Sequence, residues 1–188
     1  SEKQIKIKNL NNHDRHGVRS FLERFKSSSL FLSSNMARAG LQDGPLRYQG
    51  CWVALTQGDD IIAIAAHFWN DNILLQAPVL AHIPPLLDAL LDRSKRPLGG
   101  ILGPWEQLEV AVAHLGVDLT RCPYASKEPL FSLALDALVP PATMATTRCA
   151  TSQDADTIAS WLQQAEALLY ATPHPLSYPL DNAHRLIS

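Results

Sequence analysis

Apolar and polar positions alternate at the start of the chain, Ile5 and Ile7 against Lys6 and Lys8, which predicts a short half-buried strand. The polar stretch Asn11-Asn12-His13-Asp14 then offers capping groups for an amphipathic helix running to about Phe25, with Val18, Phe21 and Leu22 on its apolar side. A second short helix is expected from about Leu30 to Ala39, stopped at Gly40, with Gly44-Pro45 in the following loop. From Arg47 the period changes. Tyr48–Thr56 and Ile61–Trp69 are rich in β-formers and are separated by Gly58-Asp59-Asp60, a hairpin turn; Asp71-Asn72 leads into a third strand, Ile73–Ala77. Three antiparallel strands in succession are the economical arrangement.

Beyond this meander, helix and strand alternate. Pro84 and Pro85 stand where a helix can begin, Leu86, Leu87, Leu90 and Leu91 form its apolar stripe, and Pro97 ends it. Gly99–Gly103 reads as a short buried strand. Pro104 introduces a helix carrying Trp105, Leu108, Val112 and Leu115, closed by Gly116. A last hairpin is predicted from Val117–Tyr124 and Pro129–Leu135, after which Pro140 and Pro141 mark a linker. The fold class is therefore α/β (α+β): a mixed, mostly antiparallel sheet flanked by helices.

The start of the chain recurs near its end. Asp14, Ser20 and Leu22 are matched by Asp154, Ser160 and Leu162 at the same spacing, and Val18 and Phe21 by Ile158 and Trp161. This predicts a second strand and helix over 146–169, the helix running from about Asp154 to Tyr170, followed by a loop-like stretch with Pro173, Pro175 and Pro179. The expected organisation is a module at 1–136, a linker at 137–145 and the start of a second, incomplete module at 146–188. The stripe that includes Trp161, Leu162, Leu168 and Leu169 must bury against something, which makes these four residues candidate interaction positions.

Composition narrows the function classes. The 188 residues are 46% hydrophobic, enough for one substantial core, and a formal net charge of -2 gives no global field toward nucleic acid or anionic membranes. Cys51, Cys122 and Cys149 lie far apart without a C-x-x-C spacing, which argues against a disulfide framework or a structural zinc site. His13 and His16 lack further ligands at metal spacing, so no metal is expected. The polar N-terminus shows no signal peptide and no apolar run reaches the ~20 residues of a spanning helix; a cytoplasmic protein with no nucleic-acid or membrane partner is the expectation. His67, on an apolar strand, reads as a satisfied sheet histidine, and Cys51 beside Trp52 as a buried side chain.

The order β-α-α-β-β-β-α-β-α-β-β over residues 4–136, the long meander, and the run Gly100-Ile-Leu-Gly-Pro-Trp-Glu-Gln-Leu resemble the GNAT superfamily of acyl-CoA-dependent N-acyltransferases, and in particular its tandem, two-module members. That resemblance implies acetyl-CoA as cofactor and acyl transfer to an amine. The family's active modules carry an Arg or Gln followed by a Gly-x-Gly or Gly-x-Ala pattern after the third meander strand, where backbone N–H groups meet a pyrophosphate at a helix N-terminus. Here Gln76–Pro85 contains no glycine, and Pro78, Pro84 and Pro85 have no N–H to offer. The family's frequent Tyr acid has no counterpart in 105–115, and Tyr124 lies beyond that helix. No catalytic residue is assigned. Leu80, Ala81, His82 and Ile83 are the one stretch left as a candidate CoA contact. The resemblance thus implies a non-catalytic N-terminal portion of a tandem acetyltransferase, partnered by a missing module; the alternative is a stand-alone, degenerate binding or dimerisation module forming a homodimer.

Overall fold

The structure is a computed structural model that describes residues 4–143, 145–169 and 177–187. By internal contacts the chain divides into two compact units, Ser1–Val117 and Asp118–Ser188.

The first unit is built on a five-stranded mixed sheet whose spatial order, β1-β2-β3-β4-β5, is also its chain order. Strand β1 (Ile5–Asn9) pairs antiparallel with β2 (Gly50–Gln57), β2 with β3 (Asp60–Phe68) and β3 with β4 (Asn72–Gln76). Strand β5 (Gly100–Leu102) lies parallel to β4, an arrangement that requires a crossover, here through helix α3 (Ile83–Ser94). Helices α1 (Arg15–Glu23) and α2 (Leu30–Ala39) connect β1 to β2, and α4 (Trp105–Leu115) follows β5. The meander and both central helices match the pattern read from the sequence to within a few residues.

Alternation along β2 and β3, interrupted by an irregularity where the register shifts between Leu55 and Thr56, sends side chains to opposite faces and so creates two cores. Trp52, Ala54, Ile64, Ala66 and Phe68 pack with Val18, Phe21, Leu22, Leu32 and Met36 from α1 and α2. Cys51, Val53, Leu55, Ala63 and Ala65 pack with Ile83, Leu86, Leu87 and Leu90 of α3 and Ala111 of α4. Strand β1 is exposed along its whole length, and Lys6 and Lys8 charge this edge of the sheet against strand addition.

Three expectations are corrected. The hairpin over 117–135 does not form: residues 122–134 contain neither helix nor strand, and Phe131 and Leu133 stand exposed. A two-stranded hairpin is marginal without a face to bury, and nothing among the described residues of the second unit supplies one. Residues 146–150 are likewise not a strand. Strand β1 exists because β2 pairs with it in full register, whereas the described residues of the second unit contain no strand to pair with. The tail also holds a helix that the three prolines concealed: α6 (Ser177–Ile187) follows α5 (Ala155–Leu169). Pro179 falls in its first turn, where the missing N–H would have had no intrahelical partner. Pro173 and Pro175 lie outside the described residues.

Candidate functional site

The junction from β4 into α3 is the place where the family resemblance puts a cofactor, so its geometry carries the functional question. Pairing between β4 and β5 covers Asn72 to Gly100, Ile73 to Ile101 and Leu74 to Leu102, and then β5 ends. Past that point β4 continues through Gln76 paired with β3 but with no strand on its other side. The gap is filled from inside the protein: the buried Gln107 of α4 places its Oε1 2.7 Å from the Ala77 amide, which donates to it. The buried Gln76 turns its Oε1 toward Ser28 and Ser29, accepting from their hydroxyls at 2.9 and 3.2 Å.

The following turn spends two of its amides locally. Leu80–His82 is a short 3-10 turn in which the His82 N–H donates to Val79 O at 3.0 Å and the Ile83 N–H donates to Leu80 O. Pro84 and Pro85 then occupy the first helical turn without N–H groups. A pyrophosphate cradle needs several backbone donors converging on one point, and this helix start does not present them. Of the four candidate contacts, Leu80 and Ala81 are exposed, His82 is half-buried, and Ile83 is wholly inside the α3 core. The His82 Nδ1 is buried with no hydrogen-bond partner.

His67 is satisfied, as its strand context predicts. Its Nε2 lies 3.2 Å from Asp71 O and 3.0 Å from Pro97 O, so it carries the proton, and its Nδ1 accepts from the Ser94 hydroxyl at 2.8 Å. Desolvation pushes its pKa below the usual imidazole value. Burial likewise raises the Cys51 thiol, which leaves it an inert core group. Tyr124 is on no strand and bonds Glu128 within its own loop. Among the described residues no three His, Cys, Asp or Glu side chains gather as metal ligands.

The repeat has a structural counterpart at its capping site. Asn11 and Asp14 form a capping box in which the Asn11 N–H donates to Asp14 Oδ2 at 3.0 Å, and Lys8 pairs with Asp14 at 2.7 Å. At the matching positions the Thr151 N–H donates to Asp154 Oδ2 at 2.8 Å, and Arg148 grips Asp154 through both oxygens at 2.7 Å. Both carboxylates sit below their ordinary pKa. Burial opposes the shift at Asp14 but is outweighed by the Lys8 and Asn11 bonds, while the Arg148 hydrogen bonds dominate at Asp154.

Besides the missing strand, the stripes differ in outcome. In α1, Phe21 is 2% exposed against the sheet; in α5, its counterpart Trp161 is 65% exposed and Leu168 is 88% exposed. The face that α5 buries is instead the small one of Ala155 and Ala159, and α5 packs with α6. Leu162 is half-buried, and the Leu169 side chain lies outside the described residues.

No protein-family model matches the chain, and no curated protein or solved structure matches it either. Among the described residues, no helix is long and apolar enough to cross a membrane.

Proposed function

We propose that this chain is the N-terminal, non-catalytic portion of a tandem GNAT-type N-acetyltransferase, in which acyl transfer from acetyl-CoA to an amine belongs to a second module. The observation that carries this reading is a meander followed by a parallel β4/β5 pair, combined with a β4–α3 turn in which the Ala77, His82 and Ile83 amides are engaged within the protein and Pro78, Pro84 and Pro85 have none. The chain's own acetyl-CoA site is thereby closed from within. Calorimetric titration of the chain with acetyl-CoA should give no tight binding at this turn, because a few charge-assisted bonds of roughly 1.5–3 kcal/mol each have no donors here. Micromolar affinity that survived mutation elsewhere on the protein would refute the reading.

The repeat supports the second half of the proposal. Asp154, Arg148 and Thr151 rebuild the start of α1 at α5, and Phe21 buries on a sheet while the described residues of the second unit offer Trp161 no strand. The occupant of the Trp161 and Leu168 stripe is accordingly the sheet of the second module. Sequence in the same reading frame beyond codon 188 should encode strands and a glycine-rich loop. A second reading, self-association of a degenerate binding module, draws on the same exposed stripe. Light scattering separates them: a dimer that Trp161→Asp with Leu168→Asp converts to monomers would favour self-association, whereas a parent that is already monomeric would leave the stripe to the second module.

A further inference from the structure

A second concave surface lies in the first unit, between the start of α1, the end of α2 and the loop leading into β2. It encloses about 430 Å3 and is lined by Arg15, Arg38 and Arg47, with the amides of Asn12 and Gln49 among its other walls. Three arginines thus line one open hollow with no acidic side chain in its lining. Among the described residues none of the three forms an ion pair with an Asp or Glu. Arg38 and Arg47 both stack on the Tyr48 ring, at 4.6 and 4.8 Å from its centroid, and Arg38 also donates to the Tyr48 hydroxyl. This contact holds two positive charges within about a Debye length of each other, a local concentration of positive charge that a bound anion would offset.

The amides in the wall settle the sign of the hydrogen-bonding chemistry. Asn12 Oδ1 accepts the Leu41 N–H at 2.8 Å, and Gln49 Oε1 accepts the Leu46 N–H at 3.1 Å. A backbone N–H can only donate, so each amide oxygen is identified and already engaged, and the NH2 groups are what both residues have left to give. Guanidiniums and amide NH2 groups together form a donor-rich, acceptor-poor site, which suits an oxyanion with several acceptor oxygens.

We propose that this cavity is a binding site for a phosphate-bearing small molecule, held by Arg15, Arg38 and Arg47 with Asn12 and Gln49 as neutral donors. The site stands apart from the β4–α3 turn and does not depend on the acetyltransferase reading. Arg38 and Arg47, preorganised on Tyr48, hold the phosphoryl oxygens, and Arg15 reaches the same group from the first turn of α1.

Titration of the whole chain with pyrophosphate, inorganic phosphate and acetate in low-salt buffer tests it. Saturable binding is expected in the order pyrophosphate, then phosphate, with acetate weakest. Arg38→Gln and Arg47→Gln should each weaken pyrophosphate by roughly tenfold, the loss of a charge-assisted pair, while Arg19→Gln, on the exposed side of α1 outside the lining, should leave it unchanged. Acetyl-CoA heat lost in Arg38→Gln would belong to this cavity and support it. Absence of saturable binding, or equal affinity in the Arg38→Gln and Arg47→Gln variants with the melting temperature retained, would overturn the proposal.

Discussion

Replacing His67 with alanine should destabilise the first unit by about 3–5 kcal/mol, measured by urea denaturation, which is a large share of a typical domain's stability. The imidazole is fully buried and ties four segments together: β3, on which it sits, the end of α3 through the Ser94 hydroxyl, the β3–β4 connection through the Asp71 carbonyl and the α3–β5 connection through the Pro97 carbonyl. Alanine leaves a cavity and strips bonds from all three acceptor and donor partners at once. The same residue sets a pH dependence. Desolvation depresses its folded pKa, so the unfolded chain takes up a proton near pH 6.5 that the folded chain refuses. His67 therefore lends its full stability above about pH 6.5 and loses it progressively as the pH falls toward the depressed value. Denaturation midpoints taken at pH 7.5 and pH 5 should drop for the parent chain, and the slope should flatten in His67→Gln. A parent midpoint independent of pH over that range would contradict the buried neutral imidazole.

Trp52→Ala should cost a similar amount, about 3–5 kcal/mol, because this side chain fills the core between the sheet and α1–α2. It meets Phe68 edge-on, with ring centroids 5.4 Å apart, so the substitution removes an aromatic pair as well as volume. Trp52→Phe is the informative control. The Trp52 Nε1 is buried with no hydrogen-bond partner, and phenylalanine discards that unsatisfied group while keeping much of the ring. Phenylalanine should accordingly cost far less than alanine in the same denaturation series; equal losses would mean that the ring volume phenylalanine keeps contributes nothing and that the indole's own packing sets the energy.

The parts of the fold that could be read from the sequence are those in which a local pattern and its partner lie close together in the chain. The Gly58-Asp59 turn brings β2 directly back onto β3, and β3 returns through Asp71 onto β4, so period-two alternation found its partners at once. Helices α3 and α4 were equally legible, because leucines at helical spacing, Pro104 and Gly116 give both the face and the ends. The capping residues Asp14 and Asp154 disclosed the repeat, since a cap is satisfied within its own first turn.

By contrast, the alternating apolar residues of 129–135 declare a wish for burial but not what is present to bury them, and with no strand among the described residues of the second unit Phe131 and Leu133 remain exposed. Residues 146–150 repeat the position of β1 without a β2, and so stay unpaired. Sites were hardest of all. Gln107 reaches Ala77 from another helix, and Arg15, Arg38 and Arg47 are scattered along the chain until the end of α2 and the loop before β2 fold beside the first turn of α1. The sequence alone determined periodicity, caps and turns, because these are settled by neighbours a few residues away. Only the tertiary structure decided which strands have partners, which apolar face is left open and which charges share a cavity, because each of these depends on groups brought together across the whole fold.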